Sequence, residues 1–223
     1  MFHPLEQPLE RGWVGRLDGD RVIQLAAQTL ESFFTGGGTA REHAVYPLEA
    51  VRLLAPVLHP PSIRVFDDQA RFEFANPAAI VGPGARIPAH GDSVALLPRV
   101  AAVIGLDRRI AGFTGFVDWR RWPASPPKDR DFALALGPTV VTPDELPREP
   151  ELAVHVDGDD RRGSLRQRSF DWEAARTLAA EGTTLRPGDL LAGPWHMTVD
   201  PVPASSEVEI DFGVIGTLRQ LVR

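Results

Sequence analysis

Apolar residues in this chain fall into short runs separated by Gly, Pro and Asp, a spacing that predicts a mainly β protein. From Ile63 onward the runs are IRVF, RFEFA, VALL, RVAAVIG, FTGFV, TVV, ELAVHV, VEIDFGVIG and LRQLV. One helix interrupts them in DWEAARTLAAEG, residues 171–182. Asp171 is its expected N-cap and Gly182 its stop, with Trp172, Ala175, Leu178 and Ala179 on one face. Upstream, residues 12–24 read as a hairpin around an Asp18-Gly19 turn. VIQLAAQTLESFF then has helical spacing and runs out at Gly36-Gly37-Gly38. Residues 46–62 form a short apolar segment closed by Pro60-Pro61, which bars regular structure there. The pattern predicts a small N-terminal α/β unit over residues 1–61 and a β-rich body over 62–223.

Composition narrows the function classes. At 223 residues the chain can bury one sizeable core. A formal charge of −6 argues against sequence-independent nucleic-acid binding, which needs a basic face. The absence of cysteine excludes disulfides, thiolate zinc sites and a cysteine nucleophile. No apolar run approaches the roughly 18–20 residues that span a bilayer. MFHPLEQPLERGW lacks the apolar core of a signal peptide, so a cytoplasmic protein without membrane contact is the expectation.

Order and spacing of several motifs point further. GFTGFVD followed by LGP, residues 112–138, resembles the middle of the fumarylacetoacetate hydrolase family, which reads GYT-x-x-ND-x-S-x-R and then GKSFDT-x-x-PLGPW. NPAAIVGPGARIP (76–88) is similar to its KP-x-S-x-x-x-GPG-x-x-IP segment. TLRPGDLLAGP (184–194) and SEVEIDFGVIGTLRQLV resemble its closing motifs. The resemblance covers most of the chain. It implies a mixed β-roll body behind a small N-terminal domain, commonly in a homodimer. It also implies chemistry on 2-oxo acids or 1,3-dicarbonyl carboxylates, through an enolate-like species stabilised by magnesium or manganese.

The same resemblance nominates the site. Asp118 stands at the family's third metal ligand, but the two Glu of its Glu-x-Glu motif fall at Leu97 and Arg99. Neither can serve a hard cation, so no metal cofactor is expected. Arg99 either neutralises Asp118 in the space of the ion or faces solvent from an alternating strand. Lys128 matches the family's substrate-contacting Lys and Asp131 the Asp of KSFD. Against that, PPKDRD is equally a solvated charged loop. The lid histidine has no counterpart near Asp67, Asp68 and Glu73, and Asn76 replaces a Lys. His196, in GPWHM, brings an imidazole near the expected site as a general acid or base, or as a structural residue. Trp119, Trp122 and Trp195 would wall the mouth, or serve as ordinary packing.

His3, His43, His59, His90 and His155 show no metal-ligand spacing. Ser125, Ser164 and Ser169 lack a nucleophile-elbow context. Two classes stay open. One is an enzyme of keto-acid hydrolysis, decarboxylation or tautomerisation, with Lys128, His196 and Asp118 catalytic and Arg99, Asp131, Trp119 and Trp195 holding a small anionic keto acid. The other is a non-catalytic relative that kept the fold as a binder or structural protein.

Overall fold

The computed structural model describes residues 1–8, 11–89, 91, 93–147, 151–165 and 170–223; His90 and Ser169 lie outside this set. Five strands come first: β1 (Phe2–Pro4), β2 (Gly15–Asp18), β3 (Arg21–Leu25), β4 (Glu42–Pro47) and β5 (Val51–Leu53), with α1 (Leu30–Thr35) between β3 and β4. They form a three-stranded β2-β3-β4 sheet and a β1-β5 pair. The hairpin predicted at Asp18-Gly19 is present, with Asp18 opposite Arg21 and Gly19 at φ +60°. The helix expected from Val22 onward is corrected. Val22 and Ile23 are central in their sheet, paired to Leu17 and Arg16 on one side and to Tyr46 and Val45 on the other. Pairing on both edges outweighs helical spacing here. The helix starts only after Thr29, where Thr29 and Ser32 form a reciprocal capping box, and ends at Gly36.

The body continues with β6 (Ile63–Phe66), β7 (Phe72–Ala75), β8 (Ile80–Val81), β9 (Arg86–Ile87), β10 (Ser93–Ile104), β11 (Ile110–Arg120), β12 (Leu134–Leu136), β13 (Glu151–Val156) and β14 (Asp159–Ser164). Helix α2 (Trp172–Ala180) follows, then β15 (Leu190–Ala192), β16 (Val199–Pro203), β17 (Glu207–Asp211) and β18 (Thr217–Val222). One sheet of eight strands runs β7-β6-β15-β10-β11-β12-β8, with β16 also on β10. A second of five runs β14-β13-β17-β18-β9. The protein is mainly β, as its spacing predicts. VALL and RVAAVIG turn out to be one long strand, β10. TVV is not a strand of its own: Val141 exchanges two hydrogen bonds with Phe113 as an isolated bridge. Asp171 caps α2 through the N–H groups of Glu173 and Ala174, and Gly182 takes φ +66° just past its end.

The β10–β11 pair organises the core. From Val94 to Ile104 every residue of β10 is buried, because both faces of the large sheet are covered. Leu96, Ala102, Ile104, Val117 and Trp119 pack with α2 and the five-stranded sheet. Ala101, Val103 and Phe116 pack on the other face with Val57, Ile63, Val65, Leu134 and Leu136. A strand buried on both faces has no polar alternation, so an arginine in its middle must find partners inside the protein. Arg99 is that residue.

Candidate functional site

Arg99 sits on the central strand with β15 and β6 to one side and β11 to the other. Its side chain is fully buried and reaches across these neighbours. Nη1 donates to the carbonyls of Phe66 (2.9 Å) and Gly193 (3.0 Å), at the ends of β6 and β15. Nη2 donates to Asp67 Oδ1 (2.9 Å) and to Asp118 Oδ2 (3.1 Å). The guanidinium carbon lies 5.2 Å over the Trp195 ring. Of the two readings of Arg99, the structure takes the Asp118 pairing.

Asp118 is opposite Leu97 on β10 and Leu134 on β12, so it sits on the same face as Arg99. Two further guanidiniums converge on it. Arg120 Nη2 donates to Oδ2 at 3.0 Å, and Arg130 Nη2 stands 3.6 Å away. Arg120 Nη1 pairs in turn with Asp129. Arg130 pairs with Glu73 at 3.6 Å. Asp129 and Arg130 come from segment 121–133, tied back by the Arg121 N–H to the Asp129 carbonyl (2.8 Å). Burial pushes the Asp118 carboxyl above its ordinary range, while Arg99 and Arg120 pull against that.

The other expected residues separate. His196 joins the region: its main-chain N–H donates to the Pro98 carbonyl (2.9 Å), and its half-buried imidazole feels the Arg99 charge. Burial lowers its pKa to about 4, so it is neutral at pH 7 and a weak base. Trp195 is 42% exposed beside it. Trp119, expected in the wall of the mouth, lies on the opposite face of β11 in the core, where Nε1 donates to Gln220 Oε1 (2.8 Å). Strand alternation forces this, because Asp118 and Trp119 are consecutive. Lys128 pairs with Asp131 at 2.6 Å on the surface, its side chain 71% exposed. The cations around Asp118 are Arg99, Arg120 and Arg130 instead. Arg120, Asp129 and Arg130 escaped the sequence reading. Their signal was the charge-dense WRRW and KDRD stretches on either side of a proline-rich turn.

Solved structures match this architecture along nearly the whole chain. Maleylpyruvate hydrolase from Sphingobium sp. SYK-6 superposes with a TM-score of 0.77 at 22% identity, covering 96% of both chains. The chain has the fumarylacetoacetate hydrolase fold. Within that fold, 2-hydroxyhepta-2,4-diene-1,7-dioate isomerase from Mycobacterium marinum has a TM-score of 0.74 at 25% identity, over 94% of this chain and 92% of its own. A 2-keto-3-deoxy-D-arabinonate dehydratase, complexed with magnesium and 2,5-dioxopentanoate, reaches 0.78 at 17% identity and 94% of both chains. The Sphingobium hydrolase is also solved with manganese(II) and pyruvate. No family model matches the sequence, and no curated protein matches it.

Magnesium or manganese is thus bound by solved relatives of this fold, and the donors here do not fit either ion. Such cations take several carboxylate or carbonyl oxygens. At this place Asp67, Asp118 and the carbonyls of Phe66 and Gly193 already receive a guanidinium. Among the described residues, no helix is long and apolar enough to cross a membrane.

Proposed function

We propose that this chain binds a small carboxylate-bearing keto acid beside Asp118, without a divalent ion, and does not hydrolyse it. The observation that carries the reading is Arg99, a permanent cation held by four oxygen acceptors. What supports the ligand class is the shared fold with proteins solved holding pyruvate or 2,5-dioxopentanoate. Hydrolysis would need a hydroxide generated on site. His196, with a pKa of about 4, is poorly matched to abstract a proton at pH 7.

A second reading is an enzyme that decarboxylates or tautomerises a 2-oxo acid or 1,3-dicarbonyl carboxylate through an enolate-like species. Its support is the solvent-facing Lys128 ammonium, which a ligand carboxylate would reach by displacing Asp131. A homodimer is proposed with either reading, on the family resemblance.

Elemental analysis of the purified protein, followed by calorimetry with pyruvate and oxaloacetate with and without magnesium or a chelator, tests the proposal. Saturable binding that is indifferent to chelator, with no stoichiometric metal and no turnover, is expected. A stoichiometric ion at Asp118, or metal-dependent turnover, would overturn it. Metal-independent product formation would favour the second reading.

A further inference from the structure

The ion network around Asp118 is not a closed set of structural pairs. Arg99, Arg120, Arg130, Asp118 and Asp129 are all buried, which sets three cations against two anions. The other carboxylates on the network, Asp67 and Glu73, stand at its margin with side chains 35% and 64% exposed. Two guanidinium nitrogens, Arg99 Nε and Arg120 Nε, are buried without a hydrogen-bond partner among the described residues, and Arg130 Nη1 has only the Glu73 carboxylate at 3.6 Å. Two carboxylate oxygens, Asp118 Oδ1 and Asp129 Oδ1, are likewise buried without a hydrogen-bond partner among the described residues. Unmatched buried polar atoms destabilise a fold, so their gathering in one place calls for a group or a function that offsets the cost.

Arg99 and Arg120 hold their partners differently. The acceptors of Arg99 lie on strands or directly at strand ends. The second partner of Arg120, Asp129, is delivered by segment 121–133, which contains no helix or strand. That segment is tied back on itself through the Arg121 N–H to the Asp129 carbonyl, and Arg121 Nη2 to the Lys128 carbonyl (3.2 Å). Trp122 and Lys128 of the same segment are exposed. A carboxylate is therefore presented to a buried guanidinium by the part of this neighbourhood without sheet pairing.

We infer that Arg120 is the carboxylate-recognition residue of the site and that Asp129 occupies it as an internal stand-in for a ligand carboxylate. A free carboxylate reaching Arg120 takes the place of Asp129, which turns toward solvent with its segment. One anion replaces another, so the buried cations keep their compensation and no group has to change protonation. Arginine suits the task because its fork serves two carboxylates at once, here Asp118 through Nη2 and Asp129 through Nη1. The ligand class, a keto acid rather than any carboxylate, rests on the function proposed above.

The experiment is carboxylate rescue in the full chain. Asp129→Ala is expected to melt below wild type. Its melting temperature should rise with acetate and with pyruvate beyond a sodium chloride control of equal ionic strength, with an apparent affinity about tenfold above that of wild type. Asp129→Asn keeps the side-chain shape and supplies the same reading should the alanine variant fail to fold. Arg120→Lys should lower pyruvate affinity in the wild-type background. Carboxylate sensitivity in Asp129→Ala and Asp129→Asn no greater than in wild type would overturn the inference. So would pyruvate binding that neither Asp129→Asn nor Arg120→Lys alters, an outcome that leaves the keto-acid reading standing. Equal rescue by acetate and pyruvate supports Arg120 as the site while counting against a keto-acid ligand.

Discussion

Replacing Arg99 by methionine removes a buried guanidinium and all four of its hydrogen bonds at one stroke. Hydrogen bonds to charged groups each contribute about 1.5–3 kcal/mol, but summing them overstates the loss because they share one desolvated ion. The better guide is the removal of one partner from a buried ion pair, which costs about 3–5 kcal/mol. Arg120 still neutralises Asp118 at 3.0 Å, and methionine refills much of the volume, so the expected loss lies near the lower end, about 3 kcal/mol. For a 223-residue chain, that is a fall in melting temperature of roughly 6–12 °C. Urea unfolding and calorimetry of Arg99→Met measure it. The companion double variant, Arg99→Met with Asp118→Leu, also strips Arg120 and Arg130 of their shared anion, and should lose less stability than the sum of the two single variants because the Arg99–Asp118 pair is removed only once. A single-variant loss under about 1 kcal/mol, or a double variant as unstable as the sum of its parts, would refute the pairing as the anchor of this region.

Three other outcomes are expected. Burial, with the Arg99 charge adding to it against a backbone hydrogen bond at Ser164, lowers the folded pKa of His196 from 6.5 to about 4. The unfolded chain then binds a proton that the fold refuses. The resulting stability is full above about pH 6.5 and is lost as pH falls toward 4, by up to about 3 kcal/mol; an NMR titration midpoint for His196 above 6 would refute this. Trp119→Phe leaves Gln220 Oε1 without its buried donor and should cost about 1–3 kcal/mol with pyruvate affinity unchanged; a loss of affinity at unchanged stability would return Trp119 to the site. We propose residues 1–61 as a docked N-terminal unit, and expect 62–223 expressed alone to aggregate, since Val57 packs among Ile63, Val65 and Phe116; a monomeric, cooperatively melting fragment would contradict that.

What could be read along the chain was whatever neighbours in sequence decide. Strand-length apolar runs, the Asp171 cap, the Gly182 stop and the Asp18-Gly19 hairpin are local events within a few residues, and all but the TVV run are present. The order of motifs also carried the fold, and Arg99 two residues from Leu97 signalled a cation where carboxylates were expected. Tertiary structure decided the rest. Val22 and Ile23, claimed both by the hairpin over 12–24 and by the helical spacing that follows it, became strand because β2 and β4 flank them. Trp119 left the site because pleating turns consecutive residues to opposite faces, and only the register shows which face is which. Lys128 and Arg130 stand two apart on one segment, yet one is largely exposed and the other buried against Asp118. How that segment folds back beside β11 decides which charge enters. Burial, unlike residue type, is a property of the surroundings, and those come from strands far apart in sequence.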